Sequence, residues 1–84
     1  MTTPRPVLYV KSNCSWCDEA EDYLKERGIP YERANVSADP QAFAAMVQLS
    51  GQTKAPTMDW DGEVLADFGV DELEAFLREL GVVT

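Results

Sequence analysis

Histidine is absent from this 84-residue chain, and cysteine occurs only twice, as Cys14 and Cys17. Without histidine or a second cysteine pair, one chain lacks the four donors of a closed structural zinc site. A disulfide-stapled secreted domain is also a poor fit, because two cysteines three residues apart cannot tie distant segments together. Basic residues are scarce, 7 against 15 acidic ones, for a net charge of −8. Most of such a surface repels a nucleic-acid backbone. The same charge keeps a small protein soluble and steers it toward basic partner surfaces. No apolar run approaches the roughly 20 residues of a membrane helix. Residues Met1 to Arg5 lack the apolar core of a signal peptide. These absences lead to the expectation of a cytoplasmic monomer with no nucleic-acid or membrane partner. The organisation expected is one domain over residues 6–84 behind a short disordered lead at 1–5.

What is present is ordinary globular composition, 45% apolar and 26% charged. Pro6 to Val10 reads as a buried central strand, and Lys11-Ser12-Asn13 as a polar turn. From Ser15 to Arg27 the pattern is helical, with Cys17, Ala20 and Leu24 on one face. Gly28 and Pro30 supply its stop. Tyr31 to Val36 predicts a second strand. Asp39 and Pro40 predict a helix start, and Phe43, Met46 and Val47 its apolar stripe before Gly51. Thr57 to Trp60 and Glu63 to Ala66 flank Asp61-Gly62, a two-residue hairpin signal. Val70, Leu73, Phe76, Leu77 and Leu80 form the stripe of a last helix, closed by Gly81. Tyr9, Tyr23, Phe43, Phe76 and Leu77 are the aromatic and aliphatic residues assigned to the core. The order β-α-β-α-β-β-α predicts an α/β fold. Its first half should be a right-handed parallel βαβ unit and its second an antiparallel hairpin, giving a four-stranded mixed sheet with helices on both faces.

Two cysteines at this spacing, where a strand runs into a helix, form a thiol–disulfide switch. Exchange requires a thiolate, and the unpaired N–H groups at a helix start favour negative charge on sulfur. Lys11 adds a positive charge within reach, while Asp18 and Glu19 oppose it. Cys17 lies one turn further along and should be more buried. Cys14 is therefore assigned the attack on a substrate disulfide, and Cys17 the attack that resolves the mixed disulfide. Ser15 and Trp16, between them, tune helix-start stability and access.

Leu8 to Cys17, Gly28-Ile29-Pro30-Tyr31-Glu32, Lys54-Ala55-Pro56 and Phe68 to Leu73 come in an order and spacing that resembles the glutaredoxin family of the thioredoxin-like superfamily. The resemblance implies a disulfide oxidoreductase with glutathione as reductant and disulfide-containing proteins as substrates. It implies that Pro56 is the cis proline ahead of the third strand, beside the cysteine pair. Carried over, Lys11 would meet a glutathione carboxylate, and the Lys54-Ala55-Pro56 loop would receive its cysteinyl unit on the backbone of Ala55. Gly69 and Asp71 would lie near its γ-glutamyl end. Trp16 reads either as part of the docking surface or as a packed aromatic, Lys11 also as a solvated strand-end lysine, and Asp71 first as a helix cap.

Ser15-Trp16 replaces the family's usual Pro-Tyr, and Phe68-Gly69 replaces its paired glycines. The stretch around Phe68 also resembles the glutaredoxin-like redoxins that reduce ribonucleotide reductase and are served by thioredoxin reductase. A further alternative follows from glutaredoxins lacking proline between the cysteines, in which two subunits share an iron–sulfur cluster. Cys14 would be the ligand here, with glutathione; no other metal is expected.

Overall fold

The apolar run near the start of the chain forms β1, Val7–Val10. The computed structural model describes residues 6–83, so the lead expected at 1–5 lies outside the described residues. β1 sits inside a sheet of order β2-β1-β3-β4, with β2 at Glu32–Asn35, β3 at Thr57–Trp60 and β4 at Glu63–Ala66. It pairs in parallel with β2 and antiparallel with β3, and β3 pairs antiparallel with β4. This is the mixed four-stranded sheet the sequence predicts. Leu8 and Val10 on one face of β1 and Tyr9 on the other are all buried, so both faces are covered.

The cover consists of α1 (Ser15–Glu26), α2 (Pro40–Ser50) and α3 (Val70–Glu79). α2 lies against all four strands, while α1 and α3 pack on each other. Local chemistry sets their ends. Asp39 Oδ1 accepts the Gln41 N–H at 3.0 Å at the start of α2, where Pro40 has no N–H to leave unpaired. Gly51 closes that helix at φ +71°. In the hairpin, Asp61 and Gly62 both have positive φ, as a two-residue turn matching the sheet's twist requires.

One core assignment fails. Phe43 is 39% exposed, because α2 turns Ala42 and Met46 inward instead. Phe43 follows Ala42 by one residue, about 100° around the helix. Tyr9, Tyr23 and Leu77 are buried as assigned, and Phe76 packs half-buried against the core.

A polar anchor between α1 and β2 has no counterpart in the sequence reading. Glu21 is nearly buried, and its carboxylate accepts from Tyr31 Oη at 2.8 Å and from Arg33 Nε at 3.2 Å. Burial first, and then the bond to Glu21, push the Tyr31 phenol up to about 12. The folded state thus holds Tyr31 protonated where the unfolded chain, near 10, would release the proton. The resulting stabilisation is complete below about pH 10 and is lost as pH rises through about 12. Two outcomes follow for urea unfolding. Glu21→Ala lowers stability by about 1–3 kcal/mol at neutral pH. Tyr31→Phe flattens the decline of the urea midpoint between about pH 10 and 12 relative to the parent chain.

Candidate active site

Between β1 and α1 the chain turns through Asn13, whose φ of +56° is a conformation asparagine tolerates well. The Ser12 N–H donates to Ser37 Oγ at 3.1 Å, tethering this turn to the loop after β2. Cys14 then occupies the N-cap of α1 with extended backbone, φ −118° and ψ 106°. Its Sγ accepts the N–H of Cys17 at 3.2 Å. Sulfur here takes the place that a serine or aspartate oxygen usually holds at a helix start. The positive end of the helix dipole faces it.

The two thiols are free and in different surroundings. Cys17 is 1% exposed and Cys14 8%. The order is the expected one, but Cys14 is less open than a surface nucleophile. It belongs to the same buried cluster as Ala55. The Cys17 thiol is pushed up to about 12, chiefly by burial, then by its hydrogen bond to Cys14 and by charge on Cys14. A backbone hydrogen bond from Lys11 and the Lys11 ammonium act in the opposite direction and are outweighed. Lys11 therefore acts electrostatically on Cys17 although its own side chain is exposed.

Strand register brings the remaining candidates to the same end of the sheet. The β1–β3 pairing ends at Tyr9–Thr57, so Lys11, just after β1, and Ala55-Pro56, just before β3, leave the sheet at the same end. The Ala55–Pro56 bond is cis. On the far side, the Asp67 N–H donates to Pro56 O at 2.9 Å, which brings Phe68 and Gly69 alongside the loop. Lys54 Nζ lies 3.8 Å from the Asp67 carboxylate, an exposed pair of small energetic weight. Trp16 is 52% exposed at the first turn of α1, which excludes its reading as a packed aromatic.

The reading of Asp71 as a cap is corrected. Gly69 is the N-cap of α3, and Asp71 is an exposed residue in the first turn. Glu72 supplies the cap contact instead, its Oε2 accepting the Gly69 N–H at 3.0 Å. The signal for it was present, a glutamate three residues after an N-cap position. Gln52 was also missed. Its side chain bonds both ends of the Lys54 peptide, and nothing in a polar loop sequence marks it. Among the described residues, no three His, Cys, Asp or Glu side chains are grouped to hold a metal ion. A cluster would thus draw on Cys14 and on ligands from outside the chain.

Comparison with known proteins places this arrangement. The fold is that of thioredoxin-like proteins. A crystal structure of one superposes with a TM-score of 0.79 at 27% identity, covering 87% of this chain and all (100%) of the other. The glutaredoxin-like NrdH-redoxin of Escherichia coli shares the fold at a TM-score of 0.71 and 22% identity, over 86% of this chain and 93% of that one. The family model for Glutaredoxin matches residues 7–65, and the chain belongs to the glutaredoxin family. It is 28% identical over 72 residues to an uncharacterized glutaredoxin-like 8.6 kDa protein in the rubredoxin operon of Clostridium pasteurianum, 86% of this chain and 96% of that protein.

Burial and proton retention at Cys17 set the order of reactivity. Limiting iodoacetamide at pH 8 should alkylate Cys14 well before Cys17, as read by peptide mass spectrometry. Equal labelling, or Cys17 first, would contradict the roles assigned from the geometry.

Proposed function

We propose that this protein is a dithiol thiol–disulfide oxidoreductase acting on protein disulfides and glutathione mixed disulfides, with glutathione as its reductant. The observation that carries the reading is the hydrogen-bonded pair at the start of α1, one sulfur capping the helix and the other holding its proton behind it.

The Cys14 thiolate attacks one sulfur of a substrate disulfide R–S–S–R′. A Cys14–S–S–R bond forms, the substrate S–S bond breaks, and R′–S⁻ leaves to take a proton from solvent. Cys14 then no longer carries charge or accepts the hydrogen bond. Both influences had helped to hold the proton on Cys17. With them removed, burial still opposes ionisation but less now holds the proton. Cys17 therefore ionises more easily than in the free dithiol, passes its proton to solvent and attacks the Cys14 sulfur. The Cys14–Cys17 disulfide forms, and R–S⁻ is released. Two electrons have passed from the dithiol to the substrate, and two thiol equivalents of glutathione restore the pair. Lys11 favours the anionic form of Cys17. Trp16 and the loop at Lys54, Ala55 and Pro56 form the receiving surface, with Gly69 and Asp71 at its edge. Such a cycle belongs in a reducing compartment, which supports a cytoplasmic location. Among the described residues, no helix is long and apolar enough to cross a membrane.

One observation favours a second reading, in which thioredoxin reductase replaces glutathione and ribonucleotide reductase is the acceptor. The Gly69 N–H, which would help hold the γ-glutamyl carboxylate, already bonds the Glu72 carboxylate. Asp71 beside it adds a second negative charge.

Replacing Cys14 by serine should abolish disulfide reduction, and retained full activity would rule the mechanism out. Cys17→Ser should keep much of its turnover of glutathionylated substrates, because glutathione resolves them in its place, yet lose reduction of protein disulfides. Reductants are compared by coupling turnover to NADPH through glutathione with glutathione reductase, or through thioredoxin reductase alone. Turnover with the first supports the main reading, and turnover only with the second replaces it.

A further inference from the structure

The segment joining α2 to β3 has no regular structure, yet one side chain holds it closed. Gln52 Oε1 accepts the Lys54 N–H at 2.6 Å. Its Nε2 lies 3.0 Å from Lys54 O, 3.2 Å from Thr57 Oγ1 and 2.9 Å from Ser50 Oγ. Two amide hydrogens thus serve three acceptors, and the side chain spans the end of α2, the loop and the start of β3. Thr57, fully buried, donates its hydroxyl to the same Lys54 carbonyl at 2.9 Å. Both polar groups of the Lys54 main chain are therefore satisfied within the protein. On the other side, Pro56 O accepts from the Asp67 N–H.

Ala55 lies between these two secured positions. It is 7% exposed, and among the described residues no hydrogen bond uses its N–H or its C=O. A nearly buried residue whose main-chain donor and acceptor are both free is costly unless a partner meets them. The partner that matches both groups at once is another main chain, which brings one acceptor and one donor in the same spacing.

We propose that Gln52 is a positioning residue that fixes the Ala55 main chain in pairing geometry, and so sets a preference for disulfides carried on a peptide main chain over disulfides that have none. The inference rests on the Cys14/Cys17 exchange reading. Gln52 itself does not reach the substrate. It acts through Lys54, whose two hydrogen bonds orient the peptide group next in line. An apolar residue at position 52 would free the Lys54 N–H and leave the Lys54 carbonyl held by Thr57 alone, so Ala55 would pair with a substrate only after the loosened loop is reordered.

The test is the single-turnover oxidation of the pre-reduced full chain by two disulfides, a cystine-bridged hexapeptide dimer and bis(2-hydroxyethyl) disulfide, followed by acid quench and mass spectrometry. Gln52→Ala should raise the half-saturating concentration of the peptide disulfide about tenfold, of the order one or two lost hydrogen bonds produce, with little change in the limiting rate. The rate with bis(2-hydroxyethyl) disulfide should stay within about twofold of the parent. Gln52→Glu keeps the acceptor for the Lys54 N–H and loses the donors, so its peptide defect should be intermediate. This variant also carries the test if the alanine chain melts early. An equal loss on both disulfides, or no loss on the peptide, overturns the role given to Gln52. A parent chain oxidised by neither disulfide overturns the exchange reading on which it rests.

Discussion

At the start of α1 one sulfur caps the helix while its neighbour, buried behind it, is held in the protonated form, and the rest of the site is arranged around that pair. Cys14 replaces the usual oxygen cap, accepts the Cys17 N–H and meets the positive end of the helix. Cys17 is buried behind it, and its proton is held first by lack of solvent and then by its neighbour. Because the second influence depends on Cys14 being free, consuming Cys14 in a mixed disulfide alters Cys17. Under the proposed mechanism, electrostatics thereby helps to order attack before resolution.

The scaffold brings to this pair residues far apart in sequence. β1 delivers the turn that carries Lys11 and Cys14, and its antiparallel register with β3 lays Ala55 and Pro56 alongside. β4 then leads back through Asp67 to the start of α3. The candidate site residues collect around the end where β1 finishes and β3 begins. The opposite side of the domain is fastened by the buried Glu21 carboxylate between α1 and β2. The first turn of α3 is acidic and already capped from within. An incoming anion competes there with Glu72, whereas a neutral main chain docking on Ala55 does not.

Most of the fold was legible because its signals are local. Pro40 after Asp39, Asp61-Gly62 and the glycines at helix ends each dictate a conformation with only their neighbours as context. The cysteine pair was legible for the same reason, since spacing and position at a strand–helix junction are one-dimensional facts. Phe43 was misassigned because periodicity gives a helical stripe but not which of two adjacent residues the sheet will cover. Glu72 was passed over in favour of Asp71, because the N-cap is Gly69, two residues before the position assigned to it. Gln52 and Glu21 could not be read at all. Their importance comes from partners that only the folded loop or the packing of α1 on β2 supplies.

The account stands or falls on whether Cys17 becomes easier to ionise once Cys14 is engaged. Cys14 can be capped as a methyl mixed disulfide with one equivalent of methyl methanethiosulfonate, and closure of the Cys14–Cys17 bond followed by stopped flow from pH 5 to pH 11. The rate of closure should rise with pH to a plateau whose midpoint lies clearly below the value of about 12 that Cys17 has in the free dithiol. A rate still climbing at the top of that range, or no closure at all, would contradict it.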